Sequence, residues 1–79
     1  MTKLLVKNIP VETKRHNIER MFGAFGKILH IVFMHQIGTP EKKCACITLD
    51  DDKAAQNAIE QLHHRNIYGD HLAVSRVIE

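Results

Sequence analysis

The sequence predicts an α+β sandwich: a four-stranded antiparallel sheet with two helices packed on one face. Three observations predict it. Apolar residues alternate with polar ones in short runs, they recur at helical spacing in two longer stretches, and turn residues separate these in the order β-α-β-β-α-β. The chain has 79 residues, enough for one small core, so a single domain over residues 1–79 is expected.

Lys3 to Asn8 is a short apolar-rich run that stops at Ile9-Pro10, where proline fixes φ and removes a donor; it reads as the first strand and a turn. Thr13 is the expected cap of the first helix, in which Ile18, Met21, Phe22 and Phe25 recur at the spacing of one buried face. That helix ends across Gly23 to Gly26. Ile28 to His35 then alternates, with Ile31 and Phe33 on one side and His30, Val32 and Met34 on the other, until Gly38-Thr39-Pro40 supplies a turn. Cys44 to Leu49 resumes the alternation as a third strand. Asp50-Asp51-Asp52 suits both a helix cap and the positive end of the helix dipole. Ala55, Ala58, Ile59 and Leu62 form the buried stripe of the second helix, and His63 to Gly69 reads as its exit turn. The fourth strand, His71 to Val77, alternates Leu72 and Val74 against Ala73 and Ser75. This order is the split β-α-β, ferredoxin-like plan.

Composition narrows the function classes. Hydrophobic residues make up 44% of the chain and charged ones 25%, a globular balance away from disordered sequences. No apolar run approaches the ~18 to 20 residues that span a bilayer, and the first dozen residues lack a signal peptide's apolar segment. An intracellular protein without membrane contact is expected, with nucleus and cytoplasm both open. The formal charge is only +2, so any nucleic-acid contact must use local patches. Cys44 and Cys46 stand two apart on a strand, about 7 Å between side chains, too far for an unstrained disulfide. A reducing compartment fits.

Leu4-Leu5-Val6-Lys7-Asn8-Ile9 resembles the first-strand signature of the RNA recognition motif family, matching five of its six positions. Lys42 to Leu49 is similar to the third-strand octamer of that family, at Lys42, Ala45 and Ile47. Phe22-Gly23-Ala24-Phe25-Gly26 with Ile28, Ala55 to Leu62, and Tyr68-Gly69 before Leu72 also stand at the family's spacing. The resemblance implies that the sheet's open face contacts single-stranded RNA, normally by stacking bases on aromatic rings of strands one and three. Leu5, Cys44 and Cys46 occupy the ring positions here. Each stacked base contributes about 1 to 3 kcal/mol, so losing two or three rings weakens a comparable complex by ~100-fold or more.

The implied face has an apolar centre of Leu5, Val32, Met34, Cys44 and Cys46, bordered by Lys3, Lys7, His30, Thr48 and Ser75. Asn8 belongs to the same expected RNA-binding set. Lys42, Lys43, His35 and Arg76 are expected to meet phosphates without reading sequence. Lys42-Lys43 reads equally as a solvated hairpin loop.

A polar rim around an apolar centre also suits a protein partner or self-association, which stands as the alternative. Arg65-Asn66-Ile67 falls where the peptide-binding subclass of the family has Arg-x-Phe, but that subclass has an acidic first helix, whereas Lys14, Arg15, His16 and Arg20 make this one basic. Cys44, Cys46, His30 and Met34 carry soft donors for copper(I) or zinc, yet metallochaperones of related topology place two cysteines where Ile9-Pro10-Val11 stands. Two small reduced hydrophobes are the preferred reading, with no metal and no cofactor. His63-His64 reads as exposed polar surface. No nucleophile-base set, His-x-x-x-His pair or phosphate-cradling glycine loop is present, so no enzyme activity is expected.

Overall fold

Three of the four alternating runs become single strands, and the two helical stretches become helices, in the computed structural model, which describes residues 1–63, 65–67 and 70–77. The elements are β1 (Thr2–Pro10), α1 (Arg15–Gly23), β2 (Ile28–His35), β3 (Lys42–Leu49), α2 (Asp52–Leu62), β4 (Asn66–Ile67), β5 (Asp70–His71) and β6 (Ala73–Arg76). The main sheet runs β2-β3-β1-β6 with every neighbouring pair antiparallel. Leu4, Val6, Ala45, Ile47, Leu49 and Val74 point from it into one core with Ile18 and Phe22 of α1 and Ala55, Ala58 and Leu62 of α2. Each large aliphatic side chain buried there stabilises by about 1.5 to 3 kcal/mol, which fixes the face the helices cover.

Several boundaries differ from the sequence expectation. Ile9 and Pro10 stay in β1 and pair with Lys43 and Lys42, so those two lysines open β3 instead of lying in the hairpin loop, and Phe25 falls past the end of α1. Thr13 does not cap α1: Lys14 holds the cap position without a side-chain bond. Thr13 is instead buried in the turn after β1, where its N–H donates to the carbonyl of Pro10 at 2.9 Å, so the helix starts later. The expected strand from His71 to Val77 is divided. His71 pairs with Asn66 in a separate β4–β5 hairpin, and only Ala73–Arg76 joins β1. Leu72 lies between the two, fully buried, with its N–H on the carbonyl of Arg65 at 3.0 Å. Burying that side chain while satisfying its N–H turns the backbone between the sheets. Part of the expected exit turn is therefore strand, while His64, Tyr68 and Gly69 lie outside the described residues. His63 is exposed as expected, and its Nδ1 accepts the Val74 N–H of edge strand β6 at 3.0 Å.

The second helix starts as the acidic cluster predicts, with the Asp51 side chain accepting the Lys53 N–H at 3.1 Å. Asp52 accepts the hydroxyl of Thr2, tying the start of α2 to the start of β1. That bond, and next the nearby amino group of Met1, hold the Asp52 carboxyl below its ordinary value of 3.8. A carboxyl lowered in the folded state stabilises fully above its unfolded pKa, and the contribution disappears as pH falls through the lower folded value. Asp52→Asn is therefore expected to flatten the acid limb of a stability-against-pH curve while leaving its neutral region nearly level, as followed by urea melts.

Close helix-to-turn packing makes a second prediction. A Cβ on Gly26 would stand 2.6 Å from Cβ of buried Ala54, whereas one on Gly23 would meet nothing nearer than Ile28 Cδ1 at 3.9 Å. Gly26→Ala should cost about 1 to 3 kcal/mol through overpacking. Gly23→Ala, in the last position of α1, should be neutral or slightly stabilising. Equal denaturation midpoints for the two variants would contradict this packing.

Candidate nucleic-acid interface

The strand register assembles the open face in rows. Val32 of β2 stands opposite Cys46 of β3, Cys46 opposite Leu5 of β1, and Leu5 opposite Ser75 of β6. His30, Thr48 and Lys3 form the next row on one side, and Met34 opposite Cys44 the next on the other. Val32 is 55% exposed and Met34 42%, while Leu5 and Cys46 are half-buried, so the centre of the face is apolar and open. Lys3, Lys7, His30 and Ser75 are exposed around it. This much follows from alternation.

Thr48 of the expected border is buried, and three of the expected contact residues stand differently. Lys43 neighbours Cys44 on the strand and so points to the opposite face. Its Nζ lies 4.4 Å from the Phe33 ring centroid and donates to the Thr13 carbonyl at 2.6 Å. Arg76 pairs with inward-facing Leu4, and its guanidinium donates to Gln56 Oε1 on α2 at 3.1 Å. Both charges serve the helix side of the sheet, because adjacent strand residues must point to opposite faces. Lys42, by contrast, is half-buried at the hairpin end of β3, opposite Pro10.

The third residue is Cys44. It faces the open side but is only 8% exposed, because the side chain of Gln36 lies over it. Cys44 Sγ donates to Gln36 Oε1 at 3.6 Å. The same Oε1 accepts the backbone N–H of Asn8 at 2.9 Å, and Gln36 Nε2 donates to Asn8 Oδ1 at 3.0 Å. Asn8 sits where the β1–β3 register shifts between Val6 and Ile9, with φ of 65°, a left-handed conformation that asparagine tolerates better than most residues. Its Nδ2 donates to the His71 carbonyl at 3.4 Å. Gln36 carries no periodic signal, since it lies just past β2 at the start of the hairpin turn; sequence reasoning passed over it. Lys7, His35, Gln36, Ile37 and Cys44 line an open depression at this corner.

Among the described residues no three His, Cys, Asp or Glu side chains gather as a metal site would require. Cys44 and Cys46 are both free thiols.

The RNA recognition motif family model matches residues 4–73. The chain belongs to the RNA recognition motif family. Human RNA-binding protein 4B is 30% identical over 69 residues, covering 87% of this chain and 17% of that protein. The polyadenylate-binding protein, cytoplasmic and nuclear, of Eremothecium gossypii is 31% identical over 75 residues, covering 95% of this chain and 13% of that protein. The chain thus spans less than a fifth of either relative's length. The solved structure of Pes4 RRM3 matches with a TM-score of 0.88 at 25% identity, covering 100% of this chain and 94% of that one.

Within this RNA recognition motif, Lys43 is a structural cation. Lys43→Met keeps an apolar stem but removes the ring contact and the bond to Thr13, and is expected to lower stability by about 1 to 2 kcal/mol. Chemical denaturation measures this directly, and an unchanged midpoint would place the charge in solvent instead.

Proposed function

We infer that residues 1–79 act as one module that binds single-stranded RNA on the open face of the sheet and carries out no chemistry of its own. The observation that carries the reading is the asymmetry of the sheet. One face is sealed by α1 and α2, while the other leaves Val32, Cys46 and Leu5 in an uncovered row. Membership of the RNA recognition motif family supports RNA as the occupant, as do relatives named for binding RNA or polyadenylate. Lys3, Lys7, His30 and Lys42 supply positive or protonatable groups at the rim, and Asn8 and Ser75 supply polar ones. Aliphatic and sulfur side chains offer a base apolar contact without ring stacking, so binding is weak and leans on phosphates.

An NMR titration at low salt with a mixed pool of short single-stranded RNAs tests this. Shifts should fall on β1, β3 and the exposed residues of β2, and log affinity should drop with log salt by roughly 0.7 for each phosphate contact. Silence there, with concentration-dependent shifts of the free protein, would replace RNA binding by self-association. Cys46→Phe restores a ring at the centre of the open row and should tighten RNA binding about tenfold, within the 1 to 3 kcal/mol of one stacked base. Unchanged affinity in that variant would show that RNA does not use this row.

A further inference from the structure

Asn8 and Gln36 form a pair whose chemistry matches recognition of a nucleobase. At the register shift in β1, the Asn8 N–H is turned to Gln36 rather than to a neighbouring strand, and Asn8 Oδ1 faces the same way. Asn8 thus presents one donor and one acceptor side by side. Gln36 answers with a carbonyl oxygen at 2.9 Å and an amino group at 3.0 Å. An adjacent acceptor and donor also make up the pairing edge of each RNA base, the edge by which splayed-out single-stranded bases are read. Beneath the carboxamide lies Cys44, small, apolar and on the open face.

The Thr39 N–H donates to the Gln36 carbonyl at 3.3 Å, so the backbone at Gln36 is held by the turn while the hairpin tip beyond it is open. Ile37, the next residue, is 98% exposed, and Gly38 turns the chain at φ of 80° with, among the described residues, nothing but its chain neighbours within 4 Å of where its Cβ would be. Lys7 lines the same depression and would lie near the phosphate of a nucleotide seated there.

We propose that Asn8 is a base-reading residue and that Gln36 is a built-in stand-in for the base, displaced when RNA binds. Resting on the RNA reading above, this adds the residue that specifies one base and the side chain that competes for it. A base entering the site replaces Gln36 over Cys44 and regains both hydrogen bonds to Asn8, so the exchange is balanced in donors and acceptors. The Gln36 side chain swings to solvent.

The test uses short oligouridine, oligoadenosine and oligocytidine with the isotope-labelled chain. In the unaltered protein, RNA should shift the Asn8 backbone N–H and move the Gln36 side-chain amide signals toward those of a solvated glutamine. Gln36→Ala removes the competitor and should bind about 3- to 10-fold tighter, the effect of one or two ordinary hydrogen bonds. Asn8→Gly keeps the left-handed backbone but removes Oδ1; it should bind more weakly, and adding Gln36→Ala should not restore it. Thermal melts of each variant separate loss of fold from loss of contact, and the unaltered protein's signals decide the matter if a variant unfolds. RNA-induced shifts at Leu5, Val32 and Cys46 with Asn8 and Gln36 unmoved would overturn this proposal and leave the RNA reading standing. No RNA-induced shift anywhere overturns both.

Discussion

Burial of the inward sides of β1 and β3 is the constraint from which the rest of the molecule follows. Leu4 and Val6 on one strand lie opposite Ile47 and Ala45 on the other, all fully buried under the helices. A slip of one residue in either strand would carry these side chains to solvent and bring Leu5 and Cys46 inward, which fixes the register. With the register set, the outward residues of the two central strands are set too. The open apolar row is thus a by-product of how the core is made.

The same constraint sorts the positive charge. Lys42 and Lys43 are neighbours in sequence, but a strand sends them to opposite faces, and the core side of β3 converts Lys43 into a cation held over Phe33. Arg76 is drawn to α2 for the same reason. A chain of formal charge +2 therefore offers the open face fewer cations than its lysine pair suggests, and those that remain stand at the rim. The scarcity of cations on that face follows from geometry as much as from composition.

Where the alternation breaks, a different kind of site arises. The shift at Asn8 frees a backbone N–H from the ladder, and a freed N–H at a half-buried position needs a partner. Gln36 supplies it, and in doing so covers Cys44 and joins the end of β1 to the start of the β2–β3 hairpin. One side chain outside any strand thereby decides how much of the sheet's open face is accessible at that corner.

The layered architecture, the strand faces and both buried helical stripes were legible in the sequence, because periods of 2 and 3.6 report directly which side of an element is buried. The replacement of rings by Leu5, Cys44 and Cys46 was equally legible, since it needs only residue identity at signature positions. Alternation also contained the inward turn of Lys43 and Arg76, though reading both as phosphate contacts obscured it. Only the tertiary structure decided that Leu72 divides the last strand, that Thr13 serves a turn instead of a cap, and that Gln36 closes over Cys44 against Asn8. Those outcomes depend on which distant groups compete for a buried position or an unpaired N–H, and that competition is set by contacts between residues far apart in the chain, on which local periodicity is silent.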